Sequence, residues 1–257
     1  MRNLALLLAK NIIDEFSHSE FKPEFFEMKI GGHDANAAPL LKFTLSDKSS
    51  VSLGGVVDRV DVLRRDGQIY VRVVDYKTGS KDFSLDDLKL GLNTQMLIYL
   101  FALCNERAKK VFYKDTPIDS VLPAGVVYLS SNIPTIELED YKDAGEVLSL
   151  ANSALDRNGL LIEDEDILTA MNDALSPSFL AGVKKDKKGA LTGKALTSYE
   201  KFDELRAEIE ETIVSIAEKM KNGEASATPL LHKKALPCDY CEMKPVCRRL
   251  ERPADNY

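Results

Sequence analysis

The reading of the fold turns on Gly55–Lys77, GVVDRVDVLRRDGQIYVRVVDYK. Two runs rich in β-branched residues flank Asp66-Gly67, a dipeptide favoured in two-residue hairpin turns because both positions take positive φ. Side chains alternate across a strand. Val56, Asp58, Val60 and Val62 therefore share one side of the first strand, and Ile69, Val71, Val73, Asp75 and Lys77 one side of the second. Each carboxylate falls on an otherwise apolar face, where an uncompensated charge is costly. With Asp66-Gly67 as the loop, Arg65 pairs with Gln68 and the same register sets Asp58 opposite Asp75, their Cβ atoms about 5 Å apart. Two like charges so placed destabilise a sheet unless a cation lies between them. Carboxylate oxygens are the ligands that Mg²⁺ and Mn²⁺ prefer, and Lys77 adds a positive charge beside the same spot. Such a group suits phosphodiester hydrolysis, in which a cation acidifies water and offsets phosphate charge. No Ser-His or Cys-His pairing points instead to acyl transfer.

Outward from the hairpin, Asn3–Phe16 has helical apolar spacing, and an irregular segment is expected to follow through Gly31, Gly32 and His33. Strand-like runs occupy Leu40–Leu45, Leu53–Leu63, Ile69–Tyr76 and Gly125–Leu129. A long helical pattern covers roughly Leu85–Lys110, and another covers Phe202–Asn222, with Leu205, Ile209, Ile213, Ile216 and Met220 on one face. Gly182–Lys194 carries Lys and Gly without periodicity and reads as an exposed loop. The expectation is an α/β fold in one domain over 1–257: a mixed sheet of about five strands flanked by helices, then a helical, cysteine-containing C-terminal lobe. The catalytic core is placed at about 36–135 and the helical extension at about 139–257.

Composition narrows the class. The chain has 257 residues, 44% of them apolar and 29% charged, which suits a globular protein with a real core. No apolar run approaches the ~20 residues of a membrane helix, and Leu4–Ala9 is too short for a signal segment before Lys10 and Asp14 interrupt it. A cytoplasmic location without membrane contact is therefore expected. The formal charge is −7, which argues against a general coat of nucleic-acid-binding charge but leaves room for local basic patches. Residues 232–252 hold six Lys and Arg against three acids, and Lys184–Lys194 is a second basic run; both could grip phosphates. Gly189–Ala195 only superficially matches a phosphate-binding loop: it has three intervening residues instead of four, and Ala195 lacks the hydroxyl. Any ATP dependence then belongs to a partner.

Three of the four cysteines, Cys238, Cys241 and Cys247, form a C-x2-C-x5-C run near the C-terminal end, bracketed by Pro237 and Pro245. That spacing points to metal binding. Cys104 sits in an apolar run and reads as a small hydrophobe.

Gly55-Val56-Val57-Asp58, Val74-Asp75-Tyr76-Lys77 and Gln95-x-x-x-Tyr99 together resemble the nuclease motifs of the PD-(D/E)XK superfamily in its RecB-like branch. The Gly-x-x-Asp-Arg-x-Asp form over Gly55–Asp61 is most similar to the B subunit of AddAB-type helicase–nucleases. The resemblance implies that Asp58 and Asp75 bind the metal with the Tyr76 carbonyl, that Lys77 assists the water, and that Gln95 and Tyr99 belong to the same catalytic set. It also implies a [4Fe–4S] cluster on Cys238, Cys241 and Cys247 with a fourth, upstream cysteine. That cysteine, and the histidine that completes the family's metal site, have no matching positions; His18 and His33 are not assigned. The chain is accordingly expected to be a C-terminal piece of a longer protein, from which the cluster can be absent when the piece is isolated. The rival for the cysteines is Zn²⁺ held with His232.

The function expected is thus a Mg²⁺- or Mn²⁺-dependent DNA exonuclease domain of a helicase–nuclease. It would act on single-stranded ends of unwound duplex, with the helicase/nuclease A subunit for its partner, in processing double-strand breaks for recombinational repair. A non-catalytic docking or DNA-binding module of the same complex is the alternative, and an RNA or nucleotide phosphodiesterase a third option.

Overall fold

The computed structural model describes residues 2–32, 37–77, 83–88, 91–113, 117–130, 155–226 and 237–247. Helix α1 (Arg2–Ser17) leads into β1 (Lys22–Ile30), β2 (Leu41–Thr44), β3 (Ser50–Leu53), β4 (Gly55–Arg65) and β5 (Gln68–Lys77). Three short helices follow, α2 (Leu85–Leu88), α3 (Gln95–Leu103) and α4 (Lys109–Phe112), then β6 (Ser120–Ser130) and β7 (Arg157–Ile162). The remainder holds α5 (Glu165–Met171), β8 (Lys184–Lys185), β9 (Leu191–Thr192), β10 (Leu196–Thr197), α6 (Tyr199–Lys221) and α7 (Lys244–Cys247).

Six strands make one mixed sheet in the order β1-β4-β5-β6-β7-β10. The pairs β1–β4, β4–β5 and β6–β7 are antiparallel, whereas β5–β6 and β7–β10 are parallel. The hairpin forms in the expected register, with φ of 52° at Asp66 and 74° at Gly67, Arg65 opposite Gln68 and Arg59 opposite Val74. Its apolar face is fully used: Val60, Val62, Val71 and Val73 are buried, and α3 packs its buried Met96, Leu97, Leu100 and Phe101 into the same core.

Four expectations are corrected. The segment after α1 is a nine-residue strand; Phe25 and Phe26 are adjacent, so it lacks the alternation by which strands are recognised. The sheet accordingly has six strands, not about five. The Leu53–Leu63 run is broken at Gly54 between β3 and β4. The long Leu85–Lys110 helix is three helices, because Gly91 and Asn93 adopt left-handed φ of 71° and 57°, a conformation that ends a helix. Within the Lys-rich loop, β8 and β9 form a two-residue ladder.

The chain divides into a unit of Met1–Val214 and a unit of Ser215–Tyr257. The first contains the whole sheet, including strands on both sides of the 36–135 span. In the second, the described residues are the end of α6, a 3-10 turn at Pro237–Tyr240, and α7. Among the described residues no helix is long and apolar enough to cross a membrane.

Candidate active site

Asp58 and Asp75 stand at the open end of the hairpin, one residue past the last paired positions, Arg59 and Val74. The Tyr76 backbone N–H donates to Asp58 Oδ2 at 2.9 Å. Asp58 is half-buried, and this is its single hydrogen bond among the described residues, so Oδ1 remains for another partner. Asp75 is buried, and its Oδ2 lies 2.5 Å from Lys77 Nζ. The Lys77 ammonium also sits 5.8 Å from the ring centre of Tyr128 on β6, whose backbone pairs with Asp75. Burial, reinforced by the charge of Asp75, pushes the Tyr128 phenol up to about 12. Tyr128 thus stays neutral at physiological pH and offers a π face to the ammonium. No local pattern foretells its place, because a parallel neighbour arrives through a long crossover.

Gln95 Nε2 donates to Tyr99 Oη at 3.0 Å, one helical turn away on α3. The phenol seats against the backbone of Gly55, where any Cβ would fall far inside van der Waals contact with Oη. The glycine three residues before Asp58 is therefore the space into which Tyr99 fits. On the other neighbour of β4, Glu27 falls level with Asp58, between the pairs Phe26–Arg59 and Met28–Val57. Its φ of 48° is left-handed and its side chain is exposed; a non-glycine residue in that conformation is uncommon within a strand.

The reverse face of the hairpin holds what sequence reading missed. Arg59, Asp61 and Arg72 are buried there, with Glu15 from α1 and Arg157 from β7. Arg59 Nε lies 2.9 Å from Asp61 Oδ1, and Arg72 Nη2 lies 2.8 Å from both Asp61 Oδ2 and Glu15 Oε1. Arg157 pairs with the other Glu15 oxygen. Burial alone would raise the Glu15 carboxyl, but Arg72, Arg157 and Arg59 outweigh it and hold the group down at about 2. A lone Glu in an amphipathic helix carries no sign of this; the meaning lies in its partners.

Two carboxylates and a neighbouring carbonyl, that of Tyr76, are donors that suit a hard divalent cation. The buried Oδ2 of Asp75 accepts no hydrogen bond of normal geometry, as befits an oxygen reserved for a cation. Among the described residues no three His, Cys, Asp or Glu side chains gather to hold a metal ion. Further ligands would therefore be the Tyr76 carbonyl and water. The same observation covers the thiols: Cys238 and Cys247 are half-buried and Cys241 exposed, and as placed they do not fit a cluster or zinc. His33 and His232 lie outside the described residues, as do five of the six basic residues of 232–252. The sixth, Lys244, pairs with Asp239 at 3.2 Å. Of the basic β8–β9 run, Lys185 pairs with Glu165 at 2.5 Å. His18 lies 2.9 Å from Asp173, away from the hairpin's open end. Cys104 is buried in the core, which pushes its thiol up to about 12.

The model of the PD-(D/E)XK nuclease superfamily matches residues 2–248. The chain belongs to that superfamily. Among its relatives, the B subunit of the ATP-dependent helicase/deoxyribonuclease of Clostridium acetobutylicum is 30% identical over 241 residues, covering 92% of this chain and 20% of the relative. The B subunit of the enzyme of the same name from Clostridioides difficile is 31% identical over 263 residues, covering 100% and 22%. That of Clostridium novyi is 32% identical over 238 residues, covering 92% and 20%. This PD-(D/E)XK chain thus spans about a fifth of the length of the curated relatives it matches.

Proposed function

We propose that this chain is a metal-dependent DNA exonuclease domain of a helicase–nuclease that processes double-strand breaks for recombinational repair. The observation that carries the reading is the level placement of Asp58 and Asp75 on adjoining strands with Lys77 ion-paired to the second. Asp58 and Asp75 would hold Mg²⁺ or Mn²⁺ with the Tyr76 carbonyl. When bound, the cation supplies positive charge against the phosphate and acidifies water. Asp58 fixes the Tyr76 peptide through its N–H, which aims the adjoining backbone at the site. Lys77, held between Asp75 and the Tyr128 ring, has an ammonium placed to orient the attacking water and steady the charge that develops. Gln95 and Tyr99 act as a unit that shapes the start of β4 and offers polar groups to the substrate. The names of the relatives support DNA as substrate, the complex's A subunit for a neighbour, and ATP-driven unwinding as the source of single-stranded ends.

A second reading, a docking module without activity, draws support from there being just two acidic side chains at the described site. Cleavage of single-stranded DNA by the native complex with Mg²⁺ or Mn²⁺ separates the two. Asp75→Ala is expected to lower the rate roughly a hundred- to a thousandfold, the size expected for removing a central electrostatic group. Cleavage untouched by Asp75→Ala, or confined to RNA and dinucleotides, overturns the proposal. An intact complex that cuts nothing favours docking.

A further inference from the structure

Asp58 and Asp75 are each followed by a residue that points to the other face of the sheet, Arg59 and Tyr76. Those two residues meet there. Arg59 Nη1 donates to Tyr76 Oη at 2.7 Å, and its guanidinium lies 5.6 Å from the centre of the Tyr76 ring and 5.1 Å from that of Phe16 on α1. Arg59 is not free to choose this position. Its other nitrogens are committed to Asp61, which is bonded to Arg72, which is bonded to Glu15. All four side chains are almost completely buried, so no water competes for the bonds and each ion is held by its neighbours.

The peptide at Asp75–Tyr76 is consequently gripped from two sides. On one face its N–H is bonded to Asp58; on the other the phenol of the same residue is bonded to a guanidinium fixed within that chain of buried ions. We propose that Tyr76 and Arg59 are positioning residues: the buried ionic network sets the carbonyl of Tyr76 and the carboxylates of Asp58 and Asp75 for the metal. This rests on the metal-site reading above. It also explains why so many charges are buried behind an active site. A buried ion pair seldom adds net stability over an apolar pair, but it fixes geometry more sharply.

Tyr76→Phe tests this in the native full-length protein, since it removes one hydroxyl from a half-buried ring and leaves every charge in place. Tyr70→Phe, which deletes a phenol bonded to Gln68 at the far end of β5, is the control. Mn²⁺ affinity is read by electron paramagnetic resonance, counting the site that Asp75→Ala abolishes. Tyr76→Phe is expected to weaken that site roughly tenfold, the lower range for losing an outer partner of a metal ligand, and Tyr70→Phe to leave it unchanged. Without metal, the Tyr76 amide should exchange its hydrogen faster in Tyr76→Phe than in wild type. Unchanged Mn²⁺ affinity and unchanged exchange overturn the positioning role while leaving the metal site standing. A wild-type protein with no Mn²⁺ site sensitive to Asp75→Ala overturns the site itself and the positioning role with it.

Discussion

Single residues set the tolerances of the hairpin. Gly55 is needed because Tyr99 occupies the space a side chain would fill. Gly55→Ala is expected to destabilise the protein by about 1–3 kcal/mol, as overpacking does, and to lower nuclease activity by dislodging the Gln95–Tyr99 pair. Tyr99→Phe removes the clashing oxygen, so Gly55→Ala in that background should cost less, with a coupling of at least ~0.5 kcal/mol in urea denaturation. Additive losses would show that the ring and the glycine do not meet. The Asp58–Asp75 register was legible because a two-residue turn fixes the count, and a slip of one would turn both acids to the other face. Tyr128, Arg59 and Glu15 were not, because each acquires its role from a partner distant in sequence. A charged residue in a strand reads as exposed until the opposite charges that bury it are known.

Among the elements, α1 is attached to the sheet chiefly through Glu15. Its carboxyl is held at about 2 against an ordinary value of 4.5, because three guanidinium groups outweigh the burial that opposes ionisation. A folded-state pKa below the unfolded one stabilises above the unfolded value and loses that stability as pH falls through the folded one. Stability should therefore decline between pH 4.5 and about 2, and Glu15→Gln should flatten this part of the profile. The same variant leaves buried arginines short of a counter-charge and is expected to cost about 3–5 kcal/mol at neutral pH. Thermal unfolding across pH checks both; an unchanged acid limb would show that Glu15 is not the group concerned. The helix itself was readable from its spacing, whereas β1 was not, and the division of Leu85–Lys110 depended on two left-handed residues that periodicity ignores. In α6 the apolar stripe is real, but it is buried only at Phe202, Leu205 and Ile209, while Ile216 and Met220 are exposed. Periodicity reports a face and says nothing of how far along it a neighbour extends.

For the molecule as a whole, the cysteines and the carboxylates belong to different units, which makes their metal chemistry separable. The C-x2-C-x5-C spacing still supports an iron–sulfur cluster in the full-length protein, formed only once the thiols are drawn together. Native protein isolated without oxygen is then expected to be brown and to contain iron. Cys241→Ser should remove the iron while the Mn²⁺ site at Asp58 and Asp75 persists. A colourless protein with stoichiometric zinc would replace the cluster with the zinc alternative. The borders of the sheet carry one more consequence. On β1, Pro23 has no N–H to offer, the ladder slips between Pro23 and Phe25, and Glu27 turns left-handed; at its end Ala38 already bridges Ile30, and β10, at the opposite border, is two residues long. Neither rim presents the straight row of free amides along which copies zip into fibrils, so many copies can crowd together without their backbones knitting.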